Sequence, residues 1–201
     1  MEKTRSESSE VQRQRILDAA EAVLRRHGPA KTTVVDVAKV LGQSHASVYR
    51  YFTGKADLFD ALVERWLERF MPALEAITSS DRPADDRLRA WLVALYHAKR
   101  EKLNLDPEHF ANYQLLAEQA RRVVGSHMRH LFEQVESIVL SGIREGMFRV
   151  SDPSKATLAI LNGTIRFHHP ALLASKGIPP TQSDLNDVIT LLLAGLREGV
   201  I

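Results

Sequence analysis

The 201-residue sequence contains no cysteine. That excludes disulfides, thiolate metal sites, Fe–S clusters and cysteine nucleophiles. No apolar run approaches the roughly 18 residues a membrane-spanning helix needs. The stretch Met1-Glu2-Lys3-Thr4-Arg5-Ser6-Glu7 has no apolar core of a signal peptide, so the expected compartment is the cytoplasm, with no membrane partner. Sustained alternation of apolar and polar residues, the mark of a sheet, is also missing. So are the Gly-x-Gly-x-x-Gly, His-Glu-x-x-His and Gly-x-Ser-x-Gly patterns, and Gly54-Lys55-Ala56 lacks the rest of a Walker A loop. No Glu is followed by a His three residues on, which argues against a ferritin-like di-iron bundle. An enzyme is therefore not expected, nor a cofactor or metal.

What is present is an ordinary globular composition, 44% hydrophobic and 26% charged. The net charge is only +2, but it is unevenly spread. Residues 1–57 hold 10 Lys and Arg against 7 Asp and Glu, and residues 58–201 hold 17 against 18. A basic surplus at the front is a mild pointer to a polyanion there. Lys3, Arg5, Arg13 and Arg15 are interleaved with acids and serines, as in a soluble tail.

Apolar residues recur at three and four, so the expected fold is all-α. The first stripe is Ile16, Leu17, Ala20, Val23 and Leu24, and it stops at His27-Gly28-Pro29. Thr33 offers an N-cap to a short helix that ends at Gly42, and Ser44 caps the next. A long helix is expected over 55–77, with Pro72 as a kink or boundary. Further helices are expected near 84–102, 107–120, 121–145, 153–174 and 184–199.

Val34 to Phe52 is the informative stretch. Ala38 is followed four residues on by Gly42, and six further on by Val48. Two short helices that cross closely need a small residue at the contact, a turn residue tolerant of positive φ, and an aliphatic side chain to pin the second helix. Gln43 departs from the pattern, since an apolar residue often follows the glycine.

The stretch from Ile16 to Trp66 resembles the N-terminal domain of the TetR/AcrR family of bacterial transcriptional regulators. The residues that carry the resemblance are Ile16-Leu17-Asp18-Ala19-Ala20, Gly28, Thr33-Val34-Val35-Asp36-Val37-Ala38, Gly42, Ser44, Ser47-Val48-Tyr49-Arg50-Tyr51-Phe52 and Lys55-Ala56-Asp57-Leu58. The resemblance implies a three-helix helix-turn-helix DNA-binding domain, placed at 1–56, and a helical ligand-binding and dimerisation domain, placed at 57–201. It also implies that Tyr49 donates its hydroxyl to a phosphate.

Residues of the second helix that point away from Val48 and Phe52 are Ser44, His45, Ser47 and Tyr51. These can enter a major groove. His45 and Ser47 can donate or accept at base edges, and Ala46 can meet a thymine methyl. Lys55 opens the long helix, where its ammonium can meet a phosphate, and Thr33 can do the same on the preceding helix.

In the larger domain Trp91, Tyr96, Phe110, Phe132 and Phe167 are candidates to line a cavity. His109, Asn112, Tyr113 and His168 would orient an unidentified small-molecule effector within it. His127 and His130 lie three apart, but no carboxylate spacing sharpens a metal site. Leu158, Leu161, Ile165, Leu185, Val188, Ile189 and Leu192 are expected to join two subunits, as the family's four-helix dimer interface implies. The expected function is a ligand-responsive, homodimeric regulator, a repressor on a pseudo-palindromic double-stranded DNA operator. The alternative is a helical enzyme or metal-binding protein that uses the larger domain's cavity.

Overall fold

The structure is a computed structural model that describes residues 2–175 and 177–200, with side chains described for all of these except 2–8 and 105. It contains α1 (Glu2–Lys31), α2 (Val34–Val40), α3 (His45–Tyr49), α4 (Lys55–Glu68), α5 (Met71–Thr78) and α6 (Ala84–Leu105). There follow α7 (Pro107–Gln119), α8 (Arg121–Arg144), α9 (Pro153–Gly163), a 3-10 turn (Ile165–Phe167), α10 (Pro170–Leu173) and α11 (Gln182–Glu198). No strand occurs among the described residues, and no helix there is long and apolar enough to cross a membrane. Helix starts lie where short polar side chains cap them: Thr33, Ser44, Asp152 and Thr181 each accept from a backbone N–H three residues on.

The helical path of α1 breaks at Gly28, where the first stripe was expected to stop, with φ 71° and ψ 171°, and a last turn follows to Lys31. Three boundaries differ from expectation. α1 begins at Glu2, where a tail was expected; the side chains of Lys3 and Arg5 lie outside the described residues. The expected 55–77 helix is two helices, because Pro72 sits in the first turn of α5, where its missing N–H costs nothing. The expected 153–174 helix ends at Gly163. Thr164 there donates its hydroxyl back to Ile160 O (2.8 Å), and Pro170 starts another short helix.

The helices gather into two compact units: Met1–Leu67 with Glu108–Val124, and Glu68–Pro107 with Gly125–Ile201. The division differs from a single break after residue 56. α4 joins the first unit because its apolar face, Leu58, Phe59, Leu62 and Trp66, is buried, and because Arg65 bonds Asp18 (2.6 Å) and Glu21 of α1. Most of α7 joins it as well. The Trp66 ring stacks on Tyr113 at 5.1 Å and meets Phe110 edge-on at 5.9 Å. Each such aromatic pair contributes about 0.5–1.5 kcal/mol beyond burial.

The second unit is built on Leu88, Trp91, Leu95, Val135, Ile138 and Ile189, all fully or almost fully buried. A buried Arg87 locks its end, bonding Thr78 O (3.0 Å), Ser141 Oγ (2.8 Å) and Glu145 (2.7 Å). The other Glu145 oxygen caps α6 through Ala84 N (2.9 Å). That bond, with Ser141 and Arg87, holds the Glu145 carboxyl below its ordinary range. The expectation that Leu161, Leu185 and Ile189 face a partner subunit is corrected here, since all three are buried inside this unit's own core. α11 is apolar on more than one side, and Leu191 (75% exposed) marks the side its own chain leaves open, as Leu158 (52%) and Ile165 (40%) do on and after α9.

Candidate nucleic-acid interface

α2 and α3 pack together, and the residues at their crossing are those the spacing singled out. Ala38 and Val48 are buried, and Gly42 takes φ 64°, a left-handed turn that a side chain would strain. The turn is closed by Gln43 N donating to Ala38 O (3.0 Å) and Gly42 N to Lys39 O (3.1 Å). The polar residue at 43 also has a use, as Gln12 of α1 donates to its side-chain oxygen (3.2 Å). A hydrogen bond there replaces the usual apolar contact.

α3 carries the expected DNA-facing residues on its open side. Ser44, His45, Ala46 and Tyr49 are exposed, Ser47 and Tyr51 are half-buried, and Val48 has no exposed surface. His45 and Tyr49, one turn apart, meet edge to face at 6.3 Å. Tyr49 is 50% exposed, so its ring is not a core element. Ser44 is partly committed: its hydroxyl caps Ser47 N (3.3 Å) and lies 3.0 Å from Ser47 Oγ. Thr33 is exposed and caps α2 through Asp36 N (3.2 Å), while its own hydroxyl donates to the Asp36 carboxylate (2.6 Å). That bond holds the Asp36 carboxyl below its ordinary range.

Lys55 ties two helices together. Its ammonium donates to Pro29 O (3.0 Å) and Ala30 O (3.4 Å) at the end of α1 and lies 5.0 Å from the centre of the Phe59 ring. A phosphate contact would share this ammonium with a tether between helices. Sequence reasoning passed over Arg50, which is exposed at the C-cap of α3. The signal was available, since it is the only cation between Lys39 and Lys55.

The residues expected to line one ligand cavity fall into separate groups. His109, Phe110, Asn112 and Tyr113 belong to the first unit. There His109 donates to Glu21 (3.0 Å) and packs edge-on against Tyr113 at 4.8 Å. The Asn112 side chain lies against Gly28, its oxygen 3.8 Å from where a Cβ would stand. Trp91, Tyr96, Phe132, Phe167 and His168 belong to the second unit. Trp91 donates to Gln134 (2.7 Å), Tyr96 to Pro180 O (2.9 Å) and His168 to Leu161 O (3.3 Å). Phe167 is buried edge-on to Tyr96, and Phe132 is half-buried against the core. His127 is buried and His130 exposed. Among the described residues no three His, Asp or Glu side chains converge as a metal would need.

Residues 16–62 match the family described as bacterial regulatory proteins, tetR family, and residues 84–189 match the tetracyclin repressor-like C-terminal domain. Over 138 residues the chain is 28% identical to the nucleoid occlusion factor SlmA of Vibrio atlanticus, covering 68% of this chain and 69% of that one. Over 79 residues it is 33% identical to the HTH-type transcriptional regulator TtgR of Pseudomonas putida, covering 39% and 37%. Its fold is shared with SmeT, the repressor of the Stenotrophomonas maltophilia multidrug efflux pump SmeDEF, at a TM-score of 0.69 and 24% identity over 94% of this chain and 92% of that one. The helix-turn-helix at the front and the matching helical region over 84–189 place it together: the chain belongs to the TetR family of bacterial regulatory proteins.

Proposed function

We propose that the protein is a ligand-responsive, homodimeric repressor that a small molecule releases from a pseudo-palindromic operator. The observation that carries the reading is the open face of α3. Ser44, His45, Ala46 and Tyr49 stand exposed on a short helix whose inner residue, Val48, is fully buried. A helix of five residues makes few base contacts, and modules of this size bury only about 600–1,000 Å² of protein. Selective binding then calls for two copies at a fixed spacing, roughly 34–36 Å for adjacent half-sites. Leu158, Ile165 and Leu191, left exposed by their own chain, suit the face that holds them. SmeT, of the same fold, has been seen in complex with triclosan, which supports a small-molecule effector here.

The competing reading, a helical enzyme or metal protein, rests on histidines, and His109 and His97 have protein partners in Glu21 and Gln182. The test is electrophoretic mobility of the DNA upstream of the protein's own gene, followed by selection from a random duplex library. A retarded band that yields an inverted repeat is expected. Failure to enrich any duplex sequence would overturn the reading.

A further inference from the structure

The second half of α6 and the start of α11 enclose a cleft of about 580 Å3 in the second unit. That volume lies within the range of small-molecule sites, about 300–1,000 Å3. His97, Arg100, Glu101 and Asn104 stand at i, i+3, i+4 and i+7, so α6 turns one face towards the cleft. Gln182 and Tyr96, the latter only 4% exposed, also line it. Arg100 is held in place. Its Nη1 donates to Pro180 O (2.7 Å) and to the Tyr96 hydroxyl (3.1 Å), and its guanidinium carbon lies 5.6 Å from the centre of the Tyr96 ring. Tyr96 donates to the same carbonyl (2.9 Å). The other Arg100 nitrogens make no hydrogen bond or ion pair among the described residues, and neither does the Glu101 carboxylate or the Asn104 amide. His97 donates to Gln182 Oε1 (3.0 Å), which leaves the Gln182 amide nitrogen its two donors.

Arg100 and Glu101 thus carry opposite charges on the wall of one cleft and pair neither with each other nor with another described residue. A guanidinium fixed at one nitrogen is already ordered, so it loses little freedom when the rest of its fork grips a planar carboxylate. An anion alone is drawn to Arg100 and repelled by Glu101, and a cation alone meets the reverse. A neutral molecule leaves both charges to water. A ligand that carries both signs matches the pair. We propose that this cleft binds a small polar zwitterion, an amino acid or a short peptide. Its carboxylate lies on Arg100 and its ammonium on Glu101, and the free amides of Asn104 and Gln182 take its other polar groups. As the chemical class of the effector, the proposal rests on the reading of the protein as ligand-responsive; as a binding site it stands on the cleft alone.

The test is calorimetry at pH 7 on the full-length protein with two zwitterions, L-glutamine and L-alanyl-L-glutamine. Each is compared with its C-terminal amide, which keeps only the ammonium, and with its N-acetyl form, which keeps only the carboxylate. At least one zwitterion is expected to bind tenfold or more tighter than both of its singly charged forms, a gap of about 1.4 kcal/mol. Glu101→Gln should abolish the preference over the N-acetyl form and leave the preference over the amide. Arg100→Gln should do the opposite. Because Arg100 also holds Pro180, the Glu101 variant, which breaks no bond among the described residues, decides the matter if the Arg100 variant fails to fold. Binding of neither zwitterion, equal affinity for the three forms, or a preference over the N-acetyl form that survives Glu101→Gln would overturn the proposal. A chain that binds operator DNA but neither zwitterion keeps the repressor and loses the site. A chain that binds a zwitterion with this preference but no DNA keeps the site and loses the repressor.

Discussion

On the proposed reading, His45 and Arg50 would divide the work of binding between sequence and charge. A base-edge contact is worth about 1–3 kcal/mol of discrimination. His45→Ala is therefore expected to relax preference at one or two positions per half-site, measured by selection from a randomised operator. Arg50 is exposed and carries a fixed charge. Arg50→Ala should weaken all sequences alike and lower the slope of log affinity against log salt by about one per site. An unchanged consensus after His45→Ala would remove His45 as a reader. A different titration governs stability. Unfolded, Lys99 holds its proton to its ordinary 10.5, and folded to about 7. His127 falls from 6.5 to about 3 and His168 from 6.5 to about 4, in each case chiefly through burial. In those windows the unfolded chain binds more protons, so stability rises with pH. The thermal midpoint is expected to fall on acidification from pH 6.5 to 4 and to climb from pH 7 towards 9, apart from any general alkaline loss. Lys99→Met should flatten the upper limb alone.

At the scale of elements, the turn between α2 and α3 is the point most sensitive to a single atom. A Cβ at Gly42 would meet nothing within 4 Å, so the penalty of Gly42→Ala is one of backbone alone. About 1–2 kcal/mol is expected for a left-handed non-glycine residue. Urea unfolding should show it as a lower midpoint with an unchanged slope, and Gly42→Asn should lose less. This corner was legible in the sequence because its signals are local: Thr33 and Ser44 as caps, Ala38, Gly42 and Val48 at fixed spacing. Lys99 was not legible, since a lysine within a helix reads as solvated surface and only packing reveals its burial. The division of the ligand-lining set between two units was not legible for a related reason. Residues on α6, α7 and α8 share an apolar, helical pattern, and nothing local says that most of α7 belongs to the unit of α1 and α4 while α6 and most of α8 belong to the other.

At the scale of the whole molecule, the apolar content of α9 and α11 pointed to a dimer, but their periodicity could not tell the inward stripe from the outward one. Ile189 is fully buried in its own subunit, so charge there would damage the fold before any interface. Leu191→Asp and Leu158→Asp are the informative changes. Sedimentation should give a dimer mass for the wild type and a monomer for the double variant, with helical circular dichroism retained and operator affinity lost. A wild-type monomer at micromolar concentration that binds an inverted repeat tightly would contradict this. The assignment of Glu108–Val124 to the first unit has a practical consequence for protein engineering. Family members invite the construction of chimaeras by joining one protein's reading head to another's sensor at a single junction. Here a cut after residue 67 would leave Trp66 without the Tyr113 ring that stacks on it and Glu21 without His109. A functional transplant from this protein must carry the second segment too, and the most natural seam lies inside the continuous helix α8, whose first turn belongs to one unit and whose remainder belongs to the other.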